Sequence, residues 1–131
     1  TEYQRFGERV QSRISQALAR SLTAGFPHAD AQERLTAVET ATELGKRHGL
    51  RSKKQVKLLA KCVMELGATF PERHPEARQI LDNMRMAAWR KRDLLEAWLP
   101  RGRKRHALLA PYQAAQAHDD NYRPIDDEER P

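Results

Sequence analysis

The chain contains a single cysteine, Cys62, among its 131 residues, so no internal disulfide can staple it, and a reducing compartment suits it. It has no apolar run near the ~20 residues that a bilayer-spanning helix requires, which argues against a membrane partner. Its opening, TEYQRFGERVQSRISQ, lacks the apolar centre of a secretory signal, which predicts a cytoplasmic protein. Period-two alternation of useful length is missing, so there is no basis for a sheet. A GxxxxGK[ST] loop or other Gly-rich phosphate cradle is also missing, which leaves nucleotide hydrolysis without apparatus. Gly-Ser linkers and internal repeats are absent as well, and no aromatic residues interleave with the basic runs to stack on single-stranded bases.

What remains is a helical, ion-laced chain. Hydrophobic residues make up 39% and charged residues 32%, the balance of one domain with a real core and wet outer faces. The net charge of +6 is divided along the chain. Residues 1–117 hold 22 Lys and Arg against 12 Asp and Glu, a net of +10, whereas residues 118–131 hold two Arg against six acids, a net of −4. A basic body with an acidic tail can meet nucleic acid, an acidic protein or its own tail, and net charge alone does not choose.

Apolar residues recur at helical spacing in four stretches. Tyr3, Phe6, Val10, Ile14, Leu18 and Leu22 give an amphipathic first helix, ending near Gly25 because Phe26-Pro27 disfavours continuation. A second helix opens at Ala29 or Asp30, carries Leu35, Val38, Ala41 and Leu44, and ends at Gly49 after Lys46-Arg47-His48, cations where the helix dipole favours them. The third has the clearest signals. Ser52 and Gln55 form a capping box, so the helix starts at Lys53, runs through Val56, Leu59, Ala60, Val63 and Leu66, and stops at Gly67. Pro71 to Pro75 is a bend. A fourth helix begins at Pro75 or Glu76 and runs to Pro100, as one long helix or two short collinear ones broken at Asp82-Asn83. Beyond Pro100 come a basic cluster around a flexible Gly102, a marginal helix interrupted by Pro111, and an acidic tail. The expectation is an all-α, single-domain bundle of about four helices over residues 1–100, with residues 101–131 as a basic arm, short helix and tail.

Catalytic and metal chemistry find little support. His28, His48, His74, His106 and His118 lie in separate places, none at the i, i+4 spacing of a helical metal site, so no metal and no cofactor is expected. Cys62 reads as a small core residue, and Glu39 with Glu43 as a solvated helix face. An N-terminal Thr1 nucleophile would need strands to hold its amine. Basic residues are the stronger signal. Lys53, Lys57 and Lys61 at i, i+4, i+8 make a ridge able to follow a phosphate backbone. Toward the C-terminus, Trp89, Arg90, Lys91, Arg92, Arg101, Arg103, Lys104, Arg105 and Tyr112 bring aromatic anchors next to concentrated charge, the combination that protein interfaces favour. Trp98 shares the face of Leu81, Met84, Ala88 and Leu95 and is assigned to the core, whereas Trp89 is rotated off it.

Three segments carry a family resemblance: the basic amphipathic opening from Phe6 to Leu22, the joint ATELGKRHGLRSKKQV, and VMELGATFPERHPEARQIL with its Leu66-Gly67, Phe70 and Ile80-Leu81. Together, over residues 4–98, they resemble small helical proteins encoded beside type VI secretion spike, effector and immunity genes in bacteria. The chain departs from that pattern around Arg78, where an aromatic often precedes the Ile-Leu pair, and in its RGRKRH arm and acidic tail. The resemblance implies a non-enzymatic accessory that binds another protein, an effector, toxin or spike component, as an adaptor or chaperone or as an immunity protein. The alternative from the residues themselves is a small basic nucleic-acid-binding protein.

Overall fold

The computed structural model describes the backbone of residues 2–121 and the side chains of residues 11–109. It is all-α, with no strand among the described residues. Six helices follow in order: α1 (Glu2–Ser21), α2 (Ala31–His48), α3 (Lys53–Leu66), α4 (Phe70–Arg73), α5 (Pro75–Asp82) and α6 (Ala88–Asn121). Helix α1 packs on α2, α2 on α3, and α3 on α6, while α4 and α5 return the chain from α3 to α6.

Local chemistry sets the helix ends. The Asp30 carboxylate accepts from the Glu33 amide at 2.7 Å and caps α2. Gly49, at φ 79°, closes it in the left-handed region. The capping box of α3 is formed as expected, with Ser52 Oγ accepting from the Gln55 amide at 3.2 Å and Gln55 Oε1 accepting from the Ser52 amide at 3.1 Å. Between α2 and α3, Leu50 is fully buried and donates its amide to the Gly45 carbonyl at 2.9 Å. The turn presses so closely on α2 that a Cβ on Gly45 would sit 2.1 Å from the Leu50 carbonyl oxygen. Only glycine fits there.

Helix α3 is the centre of the bundle. Val56, Leu58, Leu59, Ala60, Cys62, Val63 and Leu66 are all buried on it, because it faces α2 on one side and α6 on the other. Val38, Phe70, Leu81, Leu95, Trp98 and Leu99 complete the core. Of the residues expected there, Ile14 and Leu35 are only half-buried. The side chains of Phe6 and Val10 lie outside the described residues.

The C-terminal third differs from the sequence expectation in two ways. Helices α5 and α6 are separate but not collinear: an Arg101–Glu76 ion pair at 3.3 Å places the start of α5 beside the middle of α6, so the two fold back on each other. Helix α6 also continues through Pro100 and Pro111 to Asn121, so 101–109 is helix and not a loose arm. A proline inside a helix costs ~3 kcal/mol in lost bonding and steric clash. Around Pro100 that cost is offset by burial of Leu95, Trp98 and Leu99 before it and of Gly102 after it. Gly102 is not a flexible link, since the Trp98 indole lies over it and a Cβ there would fall 2.6 Å from the ring.

Candidate functional site

A groove of about 420 Å³ runs between α3 and α6. Helix α3 contributes Lys54, Lys57, Leu58 and Lys61, and α6 contributes Arg92, Glu96, Leu99, Pro100 and Arg103. Core residues Leu58 and Leu99 line it with only their outer edges, and the exposed Pro100 adds to that small apolar surface. The two arginines already have partners: Arg92 pairs with Asp93 at 3.3 Å and Glu96 at 3.2 Å, and Arg103 pairs with Glu65 at 2.6 Å. The Glu65 contact, a hydrogen bond as well as a charge pair, raises the Arg103 pKa further above its ordinary value. The lysines are different. Among the described residues, none of Lys54, Lys57 and Lys61 has a carboxylate within ion-pair distance.

The ridge expected at Lys53, Lys57 and Lys61 is therefore rearranged. Lys57 and Lys61 line the groove, but Lys53 lies against a second cavity of about 430 Å³ with Ile14, Leu18 and Val56, between α1, α2 and α3. Four residues rotate the helix by slightly more than one turn, so a row at i, i+4, i+8 drifts across the surface, while i, i+3, i+7 holds one stripe. Lys54 occupies the place that sequence reasoning gave to Lys53.

The residues expected at a C-terminal partner surface do not form one patch. Trp89 is 63% exposed at the start of α6, and Met84 nearby is 94% exposed. Lys91 is buried: its Nζ donates to the carbonyls of His48 at 3.1 Å and Leu81 at 2.7 Å. It clamps the C-terminal ends of α2 and α5, where free carbonyls and the helix dipole favour a cation, and is not available to a partner. Arg101 and Arg103 are held by Glu76 and Glu65, and Lys104 and Arg105 are exposed farther along α6. Arg90 is exposed beside Trp89. The Tyr112 side chain and the tail beyond Asn121 lie outside the described residues.

Two histidines that are far apart in sequence meet in the interior. The His74 and His106 ring centroids are 5.5 Å apart, and the edge of His74 meets Trp98 at 5.6 Å with a 66° interplanar angle. His74 is fully buried, and among the described residues neither of its ring nitrogens has a hydrogen-bond partner; His106 Nδ1 is likewise without one. Burial first, then the fields of His106, Arg105 and Arg73, push the His74 pKa below its ordinary 6.5. No group of three His, Cys, Asp or Glu side chains among the described residues converges as a metal-ligand set. Sequence spacing gave no sign of the His74–His106 contact, which depends on α4 and α5 folding back on α6. Burial, with a smaller contribution from Glu65, raises the Cys62 thiol to about 12.

No family model, curated protein or solved structure matches the chain. No helix among the described residues is long and apolar enough to cross a membrane.

Proposed function

We propose that the chain is a non-enzymatic, cytoplasmic protein-binding accessory of a type VI secretion or polymorphic toxin locus, an adaptor or chaperone for an effector or an immunity protein against one. One observation supports binding above all: three lysines with no ion-pair partner among the described residues line one groove between the two helices that organise the bundle. Charge that no carboxylate of the described residues holds suits a partner surface, because it contributes steering and selectivity without first having to break an internal ion pair. The assignment to a secretion or toxin locus rests on the resemblance of residues 4–98 alone. Co-expression of the chain with the products of its neighbouring genes tests the reading directly. Stable co-purification with an effector, toxin or spike component is the expected result, and failure of every neighbouring product to associate removes it.

The same lysines favour a second reading, nucleic-acid binding, since no carboxylate among the described residues holds them away from phosphates. It predicts submicromolar affinity for duplex or single-stranded DNA at physiological salt. Weak binding that vanishes there is what the first reading expects.

A further inference from the structure

We infer that the occupant of the α3–α6 groove is an acidic amphipathic helix of the partner, carrying carboxylates at i, i+3 and i+7 on one stripe. The inference rests on the protein-binding reading above and names the chemistry of the partner. Lys54, Lys57 and Lys61 are themselves at i, i+3 and i+7, so they project as one stripe, with steps of about 4.5 and 6 Å along the α3 axis at 1.5 Å per residue. A second helix lying alongside has the same rise, so Glu or Asp at matching positions meets each lysine in turn. An extended peptide does not, because its same-face residues repeat at about 6.6 Å and lose register over the first step.

The groove also has the right section for a helix. Neighbouring helices pack with axes about 8–10 Å apart, and the channel above such a pair takes the apolar ridge of a third. The exposed Pro100 and the outer edges of the largely buried Leu58 and Leu99 supply the apolar surface that ridge would cover. Lysine stems add apolar wall to such a groove because the ammonium group keeps to water while its hydrocarbon packs. Nucleic acid fits less well: the groove lining holds no aromatic side chain on which bases could stack, and the opposite wall offers arginines already held by Glu65, Asp93 and Glu96. A phosphate backbone would compete with those carboxylates, whereas a helix with acids on one edge needs only the lysine wall.

A synthetic helical peptide with Glu at i, i+3 and i+7 and Leu on the adjacent stripe is the probe, titrated calorimetrically into the full chain. Binding in the micromolar range at low salt, at least tenfold weaker for a peptide of the same composition with the glutamates scrambled, is expected. Lys57→Glu with Lys61→Glu should reduce affinity at least tenfold, and a peptide with Lys in place of Glu should bind that double variant better than the wild type. Lys61 is exposed and Lys57 half-buried, and an unchanged far-ultraviolet helix signal confirms that the variant folds. Equal binding of the ordered and scrambled peptides overturns the inference, as does tighter binding of a 20-base-pair duplex or an oligonucleotide. If the neighbouring gene product co-purifies equally with wild type and Lys57→Glu/Lys61→Glu, the groove inference fails while the protein-binding function stands. If nothing co-purifies with either, the function itself fails.

Discussion

Acid should loosen the contact between α4, α5 and α6 through one side chain, His74. A neutral imidazole carries one N–H and one lone pair, and among the described residues neither ring nitrogen of His74 meets a hydrogen-bond partner. An orphaned buried polar group costs ~1–3 kcal/mol. The edge contact with Trp98 returns ~0.5–1.5 kcal/mol of that. Protonation is worse, because the added charge would sit in a buried site facing His106 and Arg105 from α6 and Arg73 from α4. The folded-state pKa is thus depressed below 6.5, so below pH 6.5 the unfolded chain binds the proton more readily than the folded one. Stability is fully present above the unfolded value and declines as the pH falls from 6.5 toward the folded one, by at most ~1.4 kcal/mol per pH unit. At pH 5.0 the loss attributable to His74 is therefore no more than ~2 kcal/mol. His74→Leu keeps most of the volume and removes both orphaned nitrogens. Urea unfolding at pH 7.5 should place it within ~1 kcal/mol of wild type, or above it, and acidification to pH 5.0 should then cost it less than it costs wild type. Equal losses on acidification, or a penalty above ~3 kcal/mol at pH 7.5, would refute the reasoning by showing that the imidazole nitrogens are satisfied in the folded protein.

Other perturbations test separate parts of the structure. Leu59→Ala removes a fully buried side chain from the central helix and should cost ~2–5 kcal/mol in denaturant unfolding; a change near zero would place Leu59 on the wrong face. Gly45→Ala drives a methyl into the Leu50 carbonyl and should destabilise by ~1–3 kcal/mol or more, whereas Glu39→Ala at an exposed site of α2 should not. Lys91→Met keeps the hydrocarbon stem but removes two charged hydrogen bonds to helix-end carbonyls, and a loss of ~1.5–3 kcal/mol in thermal or urea unfolding is expected. Cys62, with its thiol near 12, should resist a disulfide-exchange reagent at pH 8 in the folded chain and react fully once urea unfolds it.

Much of the framework was legible because it depends on local chemistry. The Ser52–Gln55 box, the Asp30 cap and the Gly49 stop are each decided within a few residues, and periodicity placed Val38, Leu59, Val63, Leu66 and Leu81 in the core. Where tertiary packing outweighed local preference, the reading failed. Pro100 argues for a helix end, yet the burial of Leu99 and the seating of Trp98 on Gly102 carry α6 through it. Lys91 looks like surface charge in a run of Arg90, Lys91 and Arg92, and only the convergence of the ends of α2 and α5 reveals its buried role. The groove was half visible: three lysines on α3 were in view, but the choice of Lys54 over Lys53 depends on where α6 packs. The His74–His106 contact spans 32 positions and has no sequence signature at all.

The most direct test of the groove as the partner surface is amide chemical-shift mapping of the full chain, with the ordered acidic helical peptide as titrant. Perturbations concentrated at Lys54 to Lys61 of α3 and Arg92 to Arg103 of α6 are the predicted result. Perturbations centred instead on Met84 to Arg90, around the exposed Trp89, would contradict it and move the partner to the joint between α5 and α6.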